Sequence, residues 1–212
     1  MAGFMEFVQR NGSQIAKLTL EHLWLVAATM VLATAIGVPL GILITRQPWL
    51  SKPILGSANI AETIPSLALF GFLLPVPWLG ARAERLAIVA LTLYALLPII
   101  RNTVAGINGV DPAVRESARA MGMTDLQILF QVELPLSYSY LLAGIRVATV
   151  LTVGIATIAA AVGAGGLGEF IFRGLAMMNN KLILAGAIPA AALALGADVL
   201  LSLLERRLRY AR

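Results

Sequence analysis

Five apolar stretches, each long enough to cross a bilayer, decide what this chain can become. They run from about His22 to Ile44, Ile54 to Leu74, Leu86 to Ile107, Ser139 to Val162 and Leu182 to Leu204. A helix needs roughly 20 mainly apolar residues to traverse about 30 Å of hydrocarbon. The composition agrees: 59% hydrophobic residues, 13% charged residues and a mean hydropathy of +0.86 lie far from soluble norms. An all-α membrane protein with about five transmembrane helices is therefore expected. Ahead of the first span, MAGFMEFVQRNGSQIAKL has no basic stretch preceding an apolar one. It reads as an interfacial amphipathic lead-in over 1–21 rather than a cleaved signal, leaving 22–212 as the membrane domain.

Several chemistries are excluded at once. The absence of cysteine removes disulfides, thiolate metal sites and cysteine nucleophiles, and a single histidine cannot build a histidine zinc site. No metal site is expected. A net charge of +5 could suggest nucleic acid, but the basic residues flank apolar spans and form no stripe interleaved with aromatics. Membrane topology explains them better. Arg46, Lys52, Arg115, Arg119, Arg206, Arg207, Arg209 and Arg212 fall on one side, with Arg101 near it, and Arg10, Lys17, Arg82, Arg85, Arg173 and Lys181 on the other. The positive-inside rule then puts the C-terminus and the 108–138 loop in the cytoplasm and the N-terminus outside.

The stretch VGAGGLGEFIF places Gly163, Gly165 and Gly168 in G-x-G-x-x-G order. A dinucleotide site with that spacing follows a strand and opens a helix in a βαβ unit. Here the stretch follows a membrane span on the outer side, away from cytosolic nucleotides. The glycines, Gly166 included, read either as a sharp, mobile outer turn before a short interfacial helix or as a plain connector.

The most informative polar segment is NGVDPAVRESARAMGMTDLQILFQVELP, between the third and fourth spans. Asp111 can cap a helix that Pro112 begins and Gly122 ends. Thr124 or Asp125 can cap a second helix that ends before Pro135. This helix-turn-helix suits docking into a cleft on another protein, or is a solvated interfacial element. From Glu116 the loop reads ESA, three residues, Gly122, nine residues, then Val132-Glu133-Leu134-Pro135. That register resembles the EAA signature of ABC importer permeases, with Ser117 and Val132 in place of the usual Ala and Ile. The resemblance implies a type I, MetI-like permease fold, and a coupling helix that inserts into a groove of an ATP-binding subunit. Glu116, Ser117, Ala118 and Gly122 would form that docking element, closed by Leu134 and Pro135.

Further segments narrow the resemblance. ETIPSLALFGFLLP, LTLYALLPIIRNT, VDPAVRESARAMGMT, AVGAGGLGEFIFRGL and GAIPAAALAL look like osmoprotectant permeases for glycine betaine, carnitine and choline. The resemblance implies two ATPase subunits that bind ATP and Mg, a second permease subunit, identical or related, and a separate extracytoplasmic binding protein in a bacterial inner membrane. This chain would bind no cofactor and catalyse no reaction. A permease for methionine or another amino acid is the alternative within the class. An integral membrane enzyme would need a clustered acid, base and nucleophile, and an autonomous channel would need no coupling loop.

Inside the spans, ionisable groups mark function or packing. Glu62 lies near the middle of the second span, where the resembling family commonly has glutamine. It either lines a cation-attracting path or is protonated and hydrogen-bonded between helices. Pro65 breaks or kinks the same span, as Pro39, Pro98 and Pro189 do in others. Arg146 and Asp198 sit at similar depth in the fourth and fifth spans and are expected to pair. Gly37 and Gly41 permit close helix contact, and His22 reads as an interfacial side chain.

Overall fold

The computed structural model describes the backbone of residues 2–210 and the side chains of 5–207. Among these residues the regular structure is entirely helical. Helix α1 spans Ala2–Arg46, α2 Ser51–Thr63, α3 Ser66–Leu73, α4 Pro77–Gly80 and α5 Ala83–Asn108. Then come α6 (Pro112–Ala120), α7 (Asp125–Ile128), a π-type turn at Leu129–Glu133, α8 (Leu134–Ala159), α9 (Gly168–Ala176) and α10 (Asn180–Tyr210). Four continuous helical segments are long and apolar enough to cross a membrane.

The second expected span is the one that differs. It divides at Ile64–Pro65, where Ile64 is extended (φ −68°, ψ 129°), into pieces of 13 and 8 residues. At 1.5 Å per residue these are about 20 and 12 Å long, so neither crosses alone. The residue before a proline is pushed out of the helical region, which places the break here. An extended residue in a span releases its carbonyl from the helix, and the Tyr94 hydroxyl of α5 donates to that Ile64 oxygen. Tyr94→Phe is expected to cost about 1 kcal/mol, read as a lower melting temperature of the detergent-solubilised protein; an unchanged melting temperature would show that the carbonyl has another partner.

Helix α5 is the axis of the fold. Leu86, Ala87, Ala90, Leu91, Ala95 and Ile100 are fully or almost fully buried along it, and α1, α2, α3 and α8 all pack against it. Small residues let the neighbours close in. A Cβ at Gly41 of α1 would stand 2.6 Å from the Thr103 Cβ, and one at Gly144 of α8 would stand 2.6 Å from the Asn102 Cβ. Without a hydrophobic drive between helices in lipid, such close packing is what joins them. By contrast α10 packs on α8 and α9 and leaves Leu195, Val199, Leu200 and Leu203 exposed. These side chains are apolar, as a face toward lipid or another subunit requires.

Two expectations change. Helix α1 runs without a break from residue 2 into the first expected span. Leu18 joins the buried cluster of Leu167, Phe170 and Leu182, with Phe7 and Ile15 against it. The second loop helix does not end before Pro135; it continues through the π-type turn into α8. In a regular helix a proline ring clashes with the carbonyl four residues earlier, and the wider turn directly ahead of Pro135 relieves that crowding. His22 is not interfacial but fully buried, with Nε2 3.1 Å from the Val153 carbonyl. The cause is that α1 packs on α8 and turns this face inward.

Candidate functional site

The loop between α5 and α8 is built as a rigid projection. Asp111 caps α6 by accepting a hydrogen bond from the Ala113 amide at 2.9 Å, and Pro112 follows it at the first helical position, where no N–H is needed. The other end closes on Gly122, whose φ of +82° is left-handed. The Gly122 amide donates to Arg119 O at 2.9 Å and the Met123 amide to Ala118 O at 3.2 Å, the paired bonds of a Schellman motif. Thr124 then caps α7 reciprocally with Gln127. Every turn of the loop is thus fixed by its own sequence.

On this projection Glu116, Ser117, Gly122 and Pro135 are exposed, Leu134 is half-buried, and Ala118 is buried against its own chain. Ala118 therefore seats the helix instead of presenting a surface. The exposed apolar side chains nearby are Val114, Met121, Leu126 and Phe130. A polar loop that keeps four such groups in the open offers a contact surface.

Beneath α6 lies a cluster that the sequence reading passed over. Glu133, 1% exposed, sits in the π-type turn. Arg46, the last residue of α1, holds both of its oxygens through Nη2 and, at 3.4 Å, Nη1. Arg115 of α6 brings Nε to 2.9 Å from Oε1 and donates from Nη2 to the Ile107 carbonyl at the end of α5. The Arg115 Nε contact is close enough for an ion pair but not aligned as a hydrogen bond. A cleft of about 260 Å³ opens here, lined by Arg46, Arg115, Glu116, Arg119 and Glu133 among others. The available signal was Glu133 itself, a charge inside the motif where α8 begins.

At the opposite end the glycine stretch forms a tight turn after a helix, not a strand. Gly163, Gly165 and Gly166 all have φ near +80°, where a side chain is strained. The Gly166 amide donates to Glu21 Oε2 at 3.2 Å. Gly168 opens α9 with no room for a Cβ, which would overlap the Thr157 carbonyl oxygen and stand 2.8 Å from the Ala160 Cβ. A cleft of about 370 Å³ lies beside the turn, lined by Glu21, Trp24, Glu84 and Glu169. Trp24 Nε1 donates to Glu84 at 2.6 Å.

Within the bundle, Arg146 and Asp198 are brought together as a bidentate pair, Nε–Oδ1 2.6 Å and Nη2–Oδ2 3.0 Å, with Glu205 3.6 Å from Nη1. Glu62 is half-buried, two residues before Ile64 at the break in the second span, and makes no ion pair or hydrogen bond among the described residues. Pro65 beside it is exposed. No group of three or more metal-ligating side chains gathers among the described residues.

The family of binding-protein-dependent transport system inner membrane components matches residues 37–210. The carnitine transport permease protein OpuCB of Listeria monocytogenes is 44% identical over 98% of this chain and 94% of that one. The osmoprotectant import permease protein OsmW of Salmonella typhimurium is 42% identical over 95% and 94%. The choline transport system permease protein OpuBD of Bacillus subtilis is 45% identical over 96% and 89%. Among solved structures, the inward-facing MetNI methionine ABC transporter superposes with a TM-score of 0.80 at 25% identity, over 89% of this chain and 93% of that one. An amino acid ABC transporter matches in fold with a TM-score of 0.79 at 18% identity, over 96% and 98%. Fold, loop and near-full-length identity agree that this chain belongs to the binding-protein-dependent transport system inner membrane components, as an integral membrane permease of the ABC importer class.

Proposed function

We propose that this permease imports osmoprotectants of the quaternary ammonium class, glycine betaine, carnitine or choline, across a bacterial inner membrane. The observation that carries the cargo is the identity of 42–45% over at least 95% of the chain to permeases named for carnitine, osmoprotectants and choline. The methionine transporter shares the fold at only 25%. The chain works with two copies of an ATPase subunit that bind ATP and Mg, a second permease subunit, identical or related, and an extracytoplasmic binding protein. The end of the molecule holding Arg46, α6 and the C-terminus faces the cytoplasm, and the glycine turn faces outward.

In this reading the loop 108–138 is the coupling loop. Glu116 and Ser117 meet the ATPase, Ala118 seats α6, Gly122 aims it, and Leu134 with Pro135 joins it to α8. The exposed Met121, Leu126 and Phe130 supply apolar contact. Closure of the ATPases on ATP moves α6 and tips the spans from inward-facing to outward-facing; each ligand need only bind one of the two states better. Gly163, Gly165, Gly166 and Gly168 form the outer gate turn. Discontinuous helices commonly build transport sites near the midplane, and the break at Pro65 with the unpaired Glu62 beside it gives a cation a favourable station on the path. Arg146 and Asp198 hold α8 to α10 and do not touch cargo.

The test is uptake of labelled glycine betaine, carnitine and choline, at low and high osmolarity, by cells stripped of their own systems. The cells express this chain with its binding protein, with or without the ATPase. Saturable uptake of at least one solute that requires the ATPase is expected. Methionine uptake in place of all three would overturn the cargo, and transport without the ATPase would overturn the importer.

A further inference from the structure

Helix α1 is anchored at its C-terminal end and again near its middle. At its cytoplasmic end Arg46 grips Glu133, which also pairs with Arg115 of α6. Near its middle, beside the glycine turn, Glu21 accepts from the Gly166 amide at 3.2 Å, and His22 Nε2 donates to the Val153 carbonyl at 3.1 Å. The 25 residue steps from Glu21 to Arg46 amount to about 37 Å of helix. A single strut therefore touches both the loop assigned to the ATPase and the glycine turn assigned to the outer gate.

The inner joint has the chemistry of a fixed connector. A guanidinium presents its donors in a rigid planar fork, so two arginines meeting one carboxylate fix direction as well as distance. Burial makes such a cluster a poor source of net stability, because desolvation of the charges offsets their attraction. Specific placement is a better account of it. Glu133 links four elements: α1 through Arg46, α6 through Arg115, the end of α5 through the Arg115 bond to Ile107, and α8, which follows it directly. Ser137 of α8 adds a bond to the Glu133 carbonyl at 2.6 Å.

We infer that Glu133 and Arg46 are positioning residues that fasten the coupling helix to α1, so that a displacement of α6 is delivered along α1 to the Gly163–Gly168 turn. This rests on the reading of α6 as the ATPase-coupling element. Neither residue touches cargo or nucleotide; they decide whether the motion of one end reaches the other. Coupling between such distant sites requires an element with two arrangements that both sites bias, and α1, helical through Pro39, is held by a hydrogen bond at Glu21 and by an ion pair at Arg46.

Arg46→Gln is the informative variant, since the Arg46 side chain is 36% exposed and Glu133 keeps Arg115, so no buried charge is left alone. The chain has no cysteine, so a single Ala164→Cys in the outer turn gives a clean reporter. In the assembled transporter, with ATPase and binding protein, the rate of Ala164→Cys labelling by a polar maleimide is measured with and without ATP and vanadate. The parent is expected to show a nucleotide-dependent rate. Arg46→Gln should retain the ATPase on purification while losing that response and lowering uptake by about tenfold or more, and Arg46→Lys should restore part of both. Full nucleotide response and uptake in Arg46→Gln would overturn the inference, as would loss of the ATPase from the purified complex, which would mark a structural role. No nucleotide response in the parent would instead remove the coupling reading beneath it, and the inference with it.

Discussion

Glu116→Arg is expected to stop transport almost completely while leaving the permease folded. Glu116 is exposed at mid-helix in α6, on the rim of the cleft that also holds Arg46, Arg115, Arg119 and Glu133. An exposed substitution away from caps and cores changes stability by only about 0.5 kcal/mol, and α6 keeps its Asp111 cap and its Gly122 ending. A reversed charge on the proposed docking surface is another matter, because misplaced like charges cost several kcal/mol at an interface. Uptake should therefore fall by about a hundredfold, with ATPase recovery on the purified permease falling in parallel and the melting temperature of the permease unchanged. Retention of the ATPase together with full uptake would take Glu116 out of the docking surface. Neighbouring Ala118→Leu should behave differently, since Ala118 is buried against its own chain; it is expected to lower the melting temperature as well as uptake.

The second large effect is expected at the glycine turn. Gly168→Ala adds one methyl group where the backbone oxygen of Thr157 already lies, with the Ala160 Cβ at 2.8 Å. Neither is the far end of a flexible side chain, so α9 must move off the end of α8. Overpacking of this kind costs roughly 1–3 kcal/mol or more, and the backbone obstruction puts Gly168 at the top of that range. A drop in melting temperature of about 6–12 °C is expected for a chain of this size. Gly12→Ala is the matched control. No atom lies within 4 Å of its added Cβ, and it sits inside α1, so the better helix propensity of alanine should leave stability unchanged or slightly raised. Equal effects at the two sites would show that α9 is free to shift away from α8.

These expectations separate what each level of description supplied. The number and place of the apolar runs, the capping residues Asp111 and Thr124, and the ending at Gly122 were legible in the sequence because each depends on its own neighbours: a hydrophobic run of bilayer length, a side chain that reaches a nearby amide, a residue tolerant of positive φ. The pairing of Arg146 with Asp198 could be anticipated from depth alone, since two opposite charges in apolar spans have few other partners. The break at Ile64 follows from Pro65, but that Tyr94 takes the released carbonyl depended on which helix lies alongside. The burial of His22 and of Ala118 depended on the way α1 and α6 are turned, which no local pattern fixes. Most of all, Arg46, Arg115 and Glu133 lie up to 87 positions apart, and only the packing of α1, α6 and α8 around α5 puts them on one another. Sequence by itself determined where the apolar segments lie and how the loop helix α6 begins and ends. Tertiary structure alone decided which charges meet, because side-chain direction and interhelical distance come from close packing between segments remote in the chain.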